Sequence, residues 1–369
     1  MAKTTKAKQK SIVNDSSLLF LKNYLNNASP TGFESSGQKL WLNYIKPYID
    51  THFVDPYGTA VGVINPDEKF KVVIEAHADE ISWFVNYITN DGLIYLKRNG
   101  GVDHQIAPGK RVIIQGKKGL VKAVFGWPAI HTRMGGGEKE TQPKVDNLFL
   151  DCGARNKKEV EALGIHIGAV ATYEEGFDEL AYGYYIGRAM DNRIGGFMIA
   201  EVARLLKENR KKIPFGLYIV NAVQEEIGLR GAEMIARRIK PDVAVITDVT
   251  HDTTTPMINK MIEGDVACGK GPSLAYGPAV HNKLLEVVQK VAQDKKIPVQ
   301  LRAVSRSTGT DTESFAYAND GCPSVLISIP LRYMHTTVEM LHKDDIENTI
   351  RLIYETLLTL TPKTKLNYF

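Results

Sequence analysis

Residues 215–248 read FGLYIVNAVQEEIGLRGAEMIARRIKPDVAVITD. The run over 215–223 is apolar and strand-length. Residues 231–238 space their apolar positions at helical intervals, and 243–248 is a second apolar strand ending in an acid. A buried strand, a covering helix and another buried strand form the unit from which parallel sheets are built. Two neighbouring acids, Glu225 and Glu226, stand just past the first strand, and Asp248 closes the second.

The same alternation extends in both directions. Before it, helical spacing appears over 16–27 and 34–49, a strand over 70–75 leads into His77, and a helix runs from Asp191 to about 208. After it come a helix over 282–294, strands over 299–304 and 324–329, and a last helix over 345–359, for which Asp344 and Glu347 have the spacing of a capping box. The pattern predicts an α/β fold: a mostly parallel sheet with helices on both faces. Between 82 and 182 the character changes. Short β-branched runs (110–115, 120–125, 148–152) alternate with glycines, as in an inserted, mostly β module. The expected organisation is a flexible basic tail at 1–15, a catalytic α/β domain from 16–82 and 183–369, and an inserted β domain at 83–182. The MGGG stretch, 134–137, reads as a loop of that insert, since no GK[ST] follows it.

With 369 residues, 43% hydrophobic and 24% charged, the chain is long enough for a large core and a second module, which excludes wholesale disorder. Its net charge of +4 comes partly from four lysines in the first ten residues. No basic, aromatic-interleaved face is visible, so no nucleic-acid partner is expected. No apolar run approaches the roughly 20 residues needed to span a bilayer, so no membrane partner is expected either. The three cysteines, Cys152, Cys268 and Cys322, are widely spaced and form no CxxC pair, which fits a reducing cytoplasm.

In open α/β sheets, ligand sites lie at the carboxyl ends of strands. His77, Glu225, Glu226, Asp248 and, after one more strand, His335 all fall at such positions, with Asp191 at an element junction. Imidazole nitrogens and carboxylate oxygens are the donors that hold divalent ions, and a pair of ions about 4 Å apart needs a carboxylate able to bridge them. An Asp opening a helix is ordinarily a cap. Adjacent acids at the exit of an apolar strand, however, repel each other unless cations are close.

The fragments HADE (77–80), AMDNRIGG (189–196), VQEEIGLRGA (223–232), ITDVTHDT (246–253) and ISIPLRYMH (327–335) resemble, in order and spacing, the M42 family of metallo-aminopeptidases. The long gap between His77 and Asp191 is similar to that family's inserted β domain. The resemblance implies two divalent ions, zinc or cobalt, with manganese also acceptable to such ligands. Asp191 would bridge them, His77 and Asp248 would complete one site, and Glu226 and His335 the other. Asp79 would orient His77. Glu225 would activate a metal-bridging water as general base and return the proton to the leaving amine. The resemblance also implies peptide substrates shortened from the amino terminus, and self-association into dimers and dodecamers through the insert.

His251 is a candidate for shaping the substrate cleft, with a structural role as its alternative. Thr310 and Asp311 resemble the family's Gly-Thr-Asp stretch, although the residues that follow, Thr312 and Glu313, are larger than usual there. Acidic, basic and apolar amino-terminal preferences are all left open. Two competing functions remain at this stage: a metal-independent, endoglucanase-like glycoside hydrolase, which would leave the histidines without a task, and a non-enzymatic, metal-stabilised assembly protein. A serine nucleophile has no support, because no GxSxG occurs, and the HExxH zinc-protease motif is absent too.

Overall fold

The computed structural model describes residues 11–133 and 141–369. The first ten residues of the basic tail and the MGGG stretch lie outside them. Along the chain the strands are β1 (Thr51–Val54), β2 (Ala60–Ile64), β3 (Lys71–His77), β4 (Ser82–Ile88), β5 (Ile94–Asn99), β6 (Arg111–Gly116), β7 (Gly119–Gly126), β8 (Phe149–Asp151) and β9 (Val170–Tyr173). They continue with β10 (Asp178–Glu179), β11 (Tyr184–Gly187), β12 (Gly216–Ala222), β13 (Val243–His251), β14 (Ser273–Tyr276), β15 (Gln300–Ala303), β16 (Ser324–Leu331) and β17 (Glu339–His342). The helices are α1 (Asp15–Asn26), α2 (Ser35–Ile45), α3 (Lys157–Ala162), α4 (Met190–Glu208), α5 (Arg230–Ile239), α6 (Lys260–Glu263), α7 (Asn282–Lys295), α8 (Thr312–Ala316) and α9 (Lys343–Thr359).

Eight strands form the main sheet in the order β1-β2-β12-β3-β13-β16-β14-β15. The four at its centre, β12, β3, β13 and β16, run parallel. Their residues are buried almost throughout, as expected when helices cover both faces. The edges are mixed: β1 and β2 join antiparallel, and β14 meets β16 antiparallel before pairing in parallel with β15. The mostly parallel α/β fold read from the alternation is therefore the fold of this protein.

Helix α4 is the centre of the packing. Its glycines let it lie directly on the sheet: a Cβ on Gly195 would meet the Ala76 Cβ on β3 at 2.8 Å. Trp41 of α2, fully buried, donates its indole N–H to the Gly196 carbonyl at 2.8 Å. This close seating brings the first turn of α4, with Asp191, beside the carboxyl end of β3, with His77.

The stretch between β3 and β11 contains a closed barrel, β4-β5-β8-β7-β6-β9. It has its own core, in which Trp83 and Phe125 meet edge to face with ring centroids 5.4 Å apart. Next to it, β10, β11 and β17 make a small sheet in which Gly187 lies opposite Glu339. That pairing ties the segment after His335 to the residues that lead into Asp191. None of the helices among the described residues is long and apolar enough to cross a membrane.

Two local expectations need correction. The capping box at Asp344 and Glu347 does not form. Helix α9 starts earlier, with His342 as its N-cap accepting from the Asp344 N–H, while Glu347 accepts from the Ser11 hydroxyl. The incoming strand β17 decides this, since it delivers His342 to the cap position. The helix expected over 34–49 ends at Ile45 and tightens into a 3-10 turn over Lys46–Tyr48, where Pro47 has no N–H to continue the α-helical ladder.

The end of β13 is locked by Asp252, which is buried. Its carboxylate accepts from the Thr254 N–H at 2.8 Å, the Cys268 N–H at 3.1 Å and the Arg332 Nε at 2.7 Å. Burial alone would raise its pKa, but the Thr254 and Arg332 bonds hold it down at about 2. The folded value is below the unfolded one of about 4, so the stabilisation is complete above that pH and is lost as pH falls toward 2. Asp252→Asn should cost about 2 kcal/mol at pH 7, read as a lower urea midpoint, with the gap to wild type narrowing below pH 4. Equal midpoints at pH 7 would contradict this.

Candidate active site

His77, the last residue of β3, projects from the carboxyl end of the sheet with the residues after β12 (Glu225, Glu226), those near the end of β13 (Asp248) and the segment after β16 (His335). Asp191 completes the group. Its Oδ1 lies 3.1 Å from Nε2 of His77, and its Oδ2 lies 3.3 Å from Nε2 of His335. Asp248 Oδ1 and Glu225 Oε2 are each 3.9 Å from His77 Nε2, and Glu226 Oε2 is 3.5 Å from His335 Nε2. Three triads of potential ligands result among the described residues, His77–Asp191–Asp248, Asp191–Glu226–His335 and His77–Glu225–Glu226, and Asp191 belongs to the first two.

Asp191 is not a helix cap. The N-cap of α4 is Ala189, whose φ of 58° is left-handed, and Asp191 itself has non-helical backbone angles. Gln224 and His335 also have left-handed φ, 58° and 62°. Each such non-glycine residue costs about 1 kcal/mol or more, and three of them adjoin this one site. The backbone is held there by the surrounding structure, not by local preference.

Asp79 lies beneath the group, fully buried. Its Oδ1 is 3.4 Å from His77 Nδ1, and its two oxygens accept the N–H groups of Glu225 (3.0 Å) and Glu226 (3.2 Å). One carboxylate thus orients an imidazole and both of the adjacent acids.

Three contributors were not recognised from the sequence. Glu339 accepts the backbone N–H of Asp191 at 3.1 Å and of His335 at 2.8 Å. Gly101, in the segment between β5 and β6, offers its carbonyl to His335 Nδ1 at 3.0 Å, and a Cβ there would sit 2.8 Å from that nitrogen. Glu75 is buried on β3, two residues before His77, with neither oxygen hydrogen-bonded among the described residues. Only Glu75 left a trace in the sequence, as an acid inside an apolar strand.

The weaker candidates separate. Thr310 is buried and lines the cleft, and its hydroxyl lies 2.8 Å from those of both Thr308 and Thr312. His251 is exposed at the cleft wall. Asp311 does not line the cleft; it lies behind it against Glu75, and burial followed by repulsion from Glu75 raises its pKa well above the carboxylate range.

The charges are unbalanced. Burial, then the nearby Asp311 and Asp248, push Glu225 up to about 10 despite His77. Burial with Asp191 beside it raises Asp248 to about 7, and Glu226 is also raised well above the usual range. Asp191 goes the other way: burial would raise it, but hydrogen bonds from His335 and His77 hold it below the ordinary carboxylate range. His335 correspondingly rises to about 10, with Asp191 and Glu226 outweighing burial. Protonated imidazoles are the only positive charge the ligand cluster itself supplies. Divalent cations would let every carboxylate ionise and every imidazole act as a neutral ligand, so the donor set fits metal.

These residues line a cleft of about 450 Å³. A family model described as M42 glutamyl aminopeptidase matches residues 58–352. The chain belongs to the M42 peptidase family. It is similar to a lysyl aminopeptidase of Pyrococcus furiosus, 31% identical over 93% of this chain and 97% of that one. Among solved structures it resembles a TET aminopeptidase from a marine-sediment archaeon of the Thaumarchaeota, with TM-score 0.90 and 31% identity over 95% of this chain and 98% of that one. It also resembles the Pyrococcus horikoshii TET1 peptidase, described as assembling into a tetrahedron or a large octahedral shell, with TM-score 0.81 and 25% identity over 92% and 98%. Membership makes this M42 chain a peptide hydrolase of the aminopeptidase kind and sets aside the glycosidase and non-enzymatic readings.

Proposed function

We propose that this M42 peptidase is a two-metal aminopeptidase in which Asp191 would be shared between the ions, His77 and Asp248 would complete one site, Glu226 and His335 would complete the other, and Glu225 would serve as the general base. The observation that carries this reading is the shared carboxylate: the two oxygens of Asp191 face different imidazoles, at 3.1 and 3.3 Å. Zinc or cobalt suits such ligands best, and manganese is acceptable. When bound, the ions polarise the scissile carbonyl and lower the pKa of water.

The remaining work falls to the side chains. Glu225 takes a proton from the attacking water and returns it to the leaving amine. Held at about 10, it could not do so at neutral pH; with cationic charge beside it, its carboxylate becomes a usable base. Asp79 positions His77 and, through their N–H groups, Glu225 and Glu226. Glu339 plays the corresponding part for Asp191 and His335.

We also propose that residues 83–182 form a module for self-association and substrate access, giving dimers and then dodecamers. Support comes from the Gly101 carbonyl at His335 and from Leu120, Ile130 and Ile167, all exposed apolar side chains in that stretch. Light scattering at working concentration that finds only monomer would oppose it. Three free cysteines are in keeping with work in a reducing cytoplasm.

The direct test is to chelate the protein to completion and reload separate samples with zinc, cobalt and manganese. Cleavage of aminoacyl anilides should fall by about a hundredfold or more on chelation and return on reloading. Activity that survives full ion removal would end the two-metal reading.

A further inference from the structure

One wall of the cleft holds its hydroxyls in a fixed order. The segment between β15 and α8 brings Thr308, Gly309 and Thr310 to the cleft. Glu313, in the first turn of α8, reaches back to this segment: its Oε1 accepts the Thr308 N–H at 2.5 Å and its Oε2 accepts the Thr308 hydroxyl at 2.6 Å. A carboxylate only accepts, and a hydroxyl has a single hydrogen to give. The hydrogen of Thr308 is therefore committed to Glu313. The 2.8 Å contact between Thr308 and Thr310 must then be donated by Thr310, and the 2.8 Å contact between Thr310 and the buried Thr312 by Thr312. The Thr312 N–H also reaches Thr310 Oγ1, at 3.3 Å. Thr310 is thereby filled, with one hydrogen given and two accepted. Thr308, half-buried at the cleft surface, keeps one lone pair to which no described residue donates. It is the open acceptor end of the chain. Helix α8 is itself tied to the cleft, since the Ser314 hydroxyl donates to the carbonyl of Leu229, another lining residue.

We propose that Glu313 is a positioning residue for substrate: by ordering the Thr308–Thr310–Thr312 chain it makes Thr308 a fixed hydrogen-bond acceptor for an N–H of the bound peptide. The inference rests on the aminopeptidase reading above and adds to it a residue outside the ligand cluster. A threonine with a free hydroxyl serves donors and acceptors alike, because its hydrogen rotates to suit. Here that freedom is gone. A substrate acceptor brought to Thr308 would set lone pair against lone pair, whereas a donor completes the chain, so the wall discriminates in favour of N–H. A peptide supplies such donors at two places: at or before the scissile bond, as its ammonium and the scissile N–H, and beyond it, as the N–H groups of later peptide bonds. Thr312 and Glu313 are also the two residues that stand out by size in this stretch of the sequence. The first fills Thr310, and the second sets the direction of every hydroxyl in the chain.

The test compares ion-loaded wild type, Thr308→Val, Thr308→Ser and Glu313→Gln on leucyl anilide, on leucyl-alanyl-alanine and on the same tripeptide N-methylated at its second peptide bond. Ion content and melting temperature are measured in each protein. Thr308→Val should raise KM for the tripeptide about fivefold while kcat changes by less than about twofold, the signature of binding shared by ground and transition states. Thr308→Ser keeps the hydroxyl and should match wild type. In Glu313→Gln the amide can serve the Thr308 N–H with its oxygen only by turning its NH₂ on the hydroxyl, which fills the lone pair, so KM should rise as in Thr308→Val. A rise on all three substrates places the donor at or before the scissile bond, and a rise confined to the unmethylated tripeptide places it beyond. An unchanged KM in Thr308→Val on every substrate, a fall in kcat with KM unchanged, or a rise in Glu313→Gln without one in Thr308→Val would each overturn the proposal. If Glu313→Gln melts too low to assay, the two Thr308 variants decide alone. Were no substrate cleaved by any of these proteins, the aminopeptidase reading would fall, and calorimetry with the intact tripeptide would still decide Thr308: binding weakened in Thr308→Val supports the acceptor, and binding that is absent or unaffected refutes it.

Discussion

Glu225→Gln should reduce kcat about a thousandfold while leaving both ions in place. Positioned proton transfer contributes on the order of 100- to 10,000-fold, and a thousandfold loss corresponds to about 4 kcal/mol of barrier. Glutamine keeps the shape and the backbone N–H that Asp79 accepts at 3.0 Å, so the site should not be displaced. Its amide cannot take a proton from water. The substitution also removes an acid whose anion is disfavoured by burial and by Asp311 and Asp248, so the ion-free variant should melt no lower than wild type. Rates on aminoacyl anilides, ion content by mass spectrometry and thermal melts of the ion-free proteins check the three parts. Undiminished kcat would remove Glu225 from the mechanism, and a loss of ions equal to the loss of rate would make it a ligand.

What could be read in advance follows the range of the interactions. Strands β12 and β13 and helix α5 announce themselves in residues 215–248 because periodicity is local, and the same holds for α7 and β16. The insert was recognisable as β by its short β-branched runs. Its closure was not, since β4 pairs with β9 across 86 to 88 positions (Phe84 with Val170, Trp83 with Ala171) and nothing local encodes that register. The Asp344 capping box failed because β17 sets the start of α9.

At the site, the ligands were visible as residue types at strand ends. Their supports were not: the Glu339 carboxylate reaches the Asp191 N–H across 148 positions, and the Gly101 carbonyl reaches His335 across 234. For Asp191 the residue pattern alone pointed no further than a helix cap, and only the family resemblance made it a bridging ligand. Only the left-handed turn at Ala189 and the close seating of α4 on β3 turn its carboxylate toward two imidazoles.

Asp191→Asn should be the most damaging conservative change, lowering kcat/KM on the order of 10,000-fold or more. The reason is geometric. In His77–Asp191–Asp248 and Asp191–Glu226–His335 every other ligand serves one triad, whereas Asp191 gives one oxygen to each. Asparagine offers a single carbonyl oxygen and places an NH₂ donor where the second site needs an acceptor, and it removes the one carboxylate that the imidazoles already hold ionised. Two divalent cations close together without an anion between them repel strongly, so loss of the bridge weakens both sites together. Asp248→Asn, by contrast, disturbs one triad. Mass spectrometry should find about two ions per chain in wild type, fewer than one in Asp191→Asn and between one and two in Asp248→Asn. If Asp191→Asn retained one tightly held ion with the affinity of wild type, Asp191 would belong to a single site and the bridging role would have to pass to another carboxylate, with Glu226 the first to test because its carboxylate can also share a site with His77.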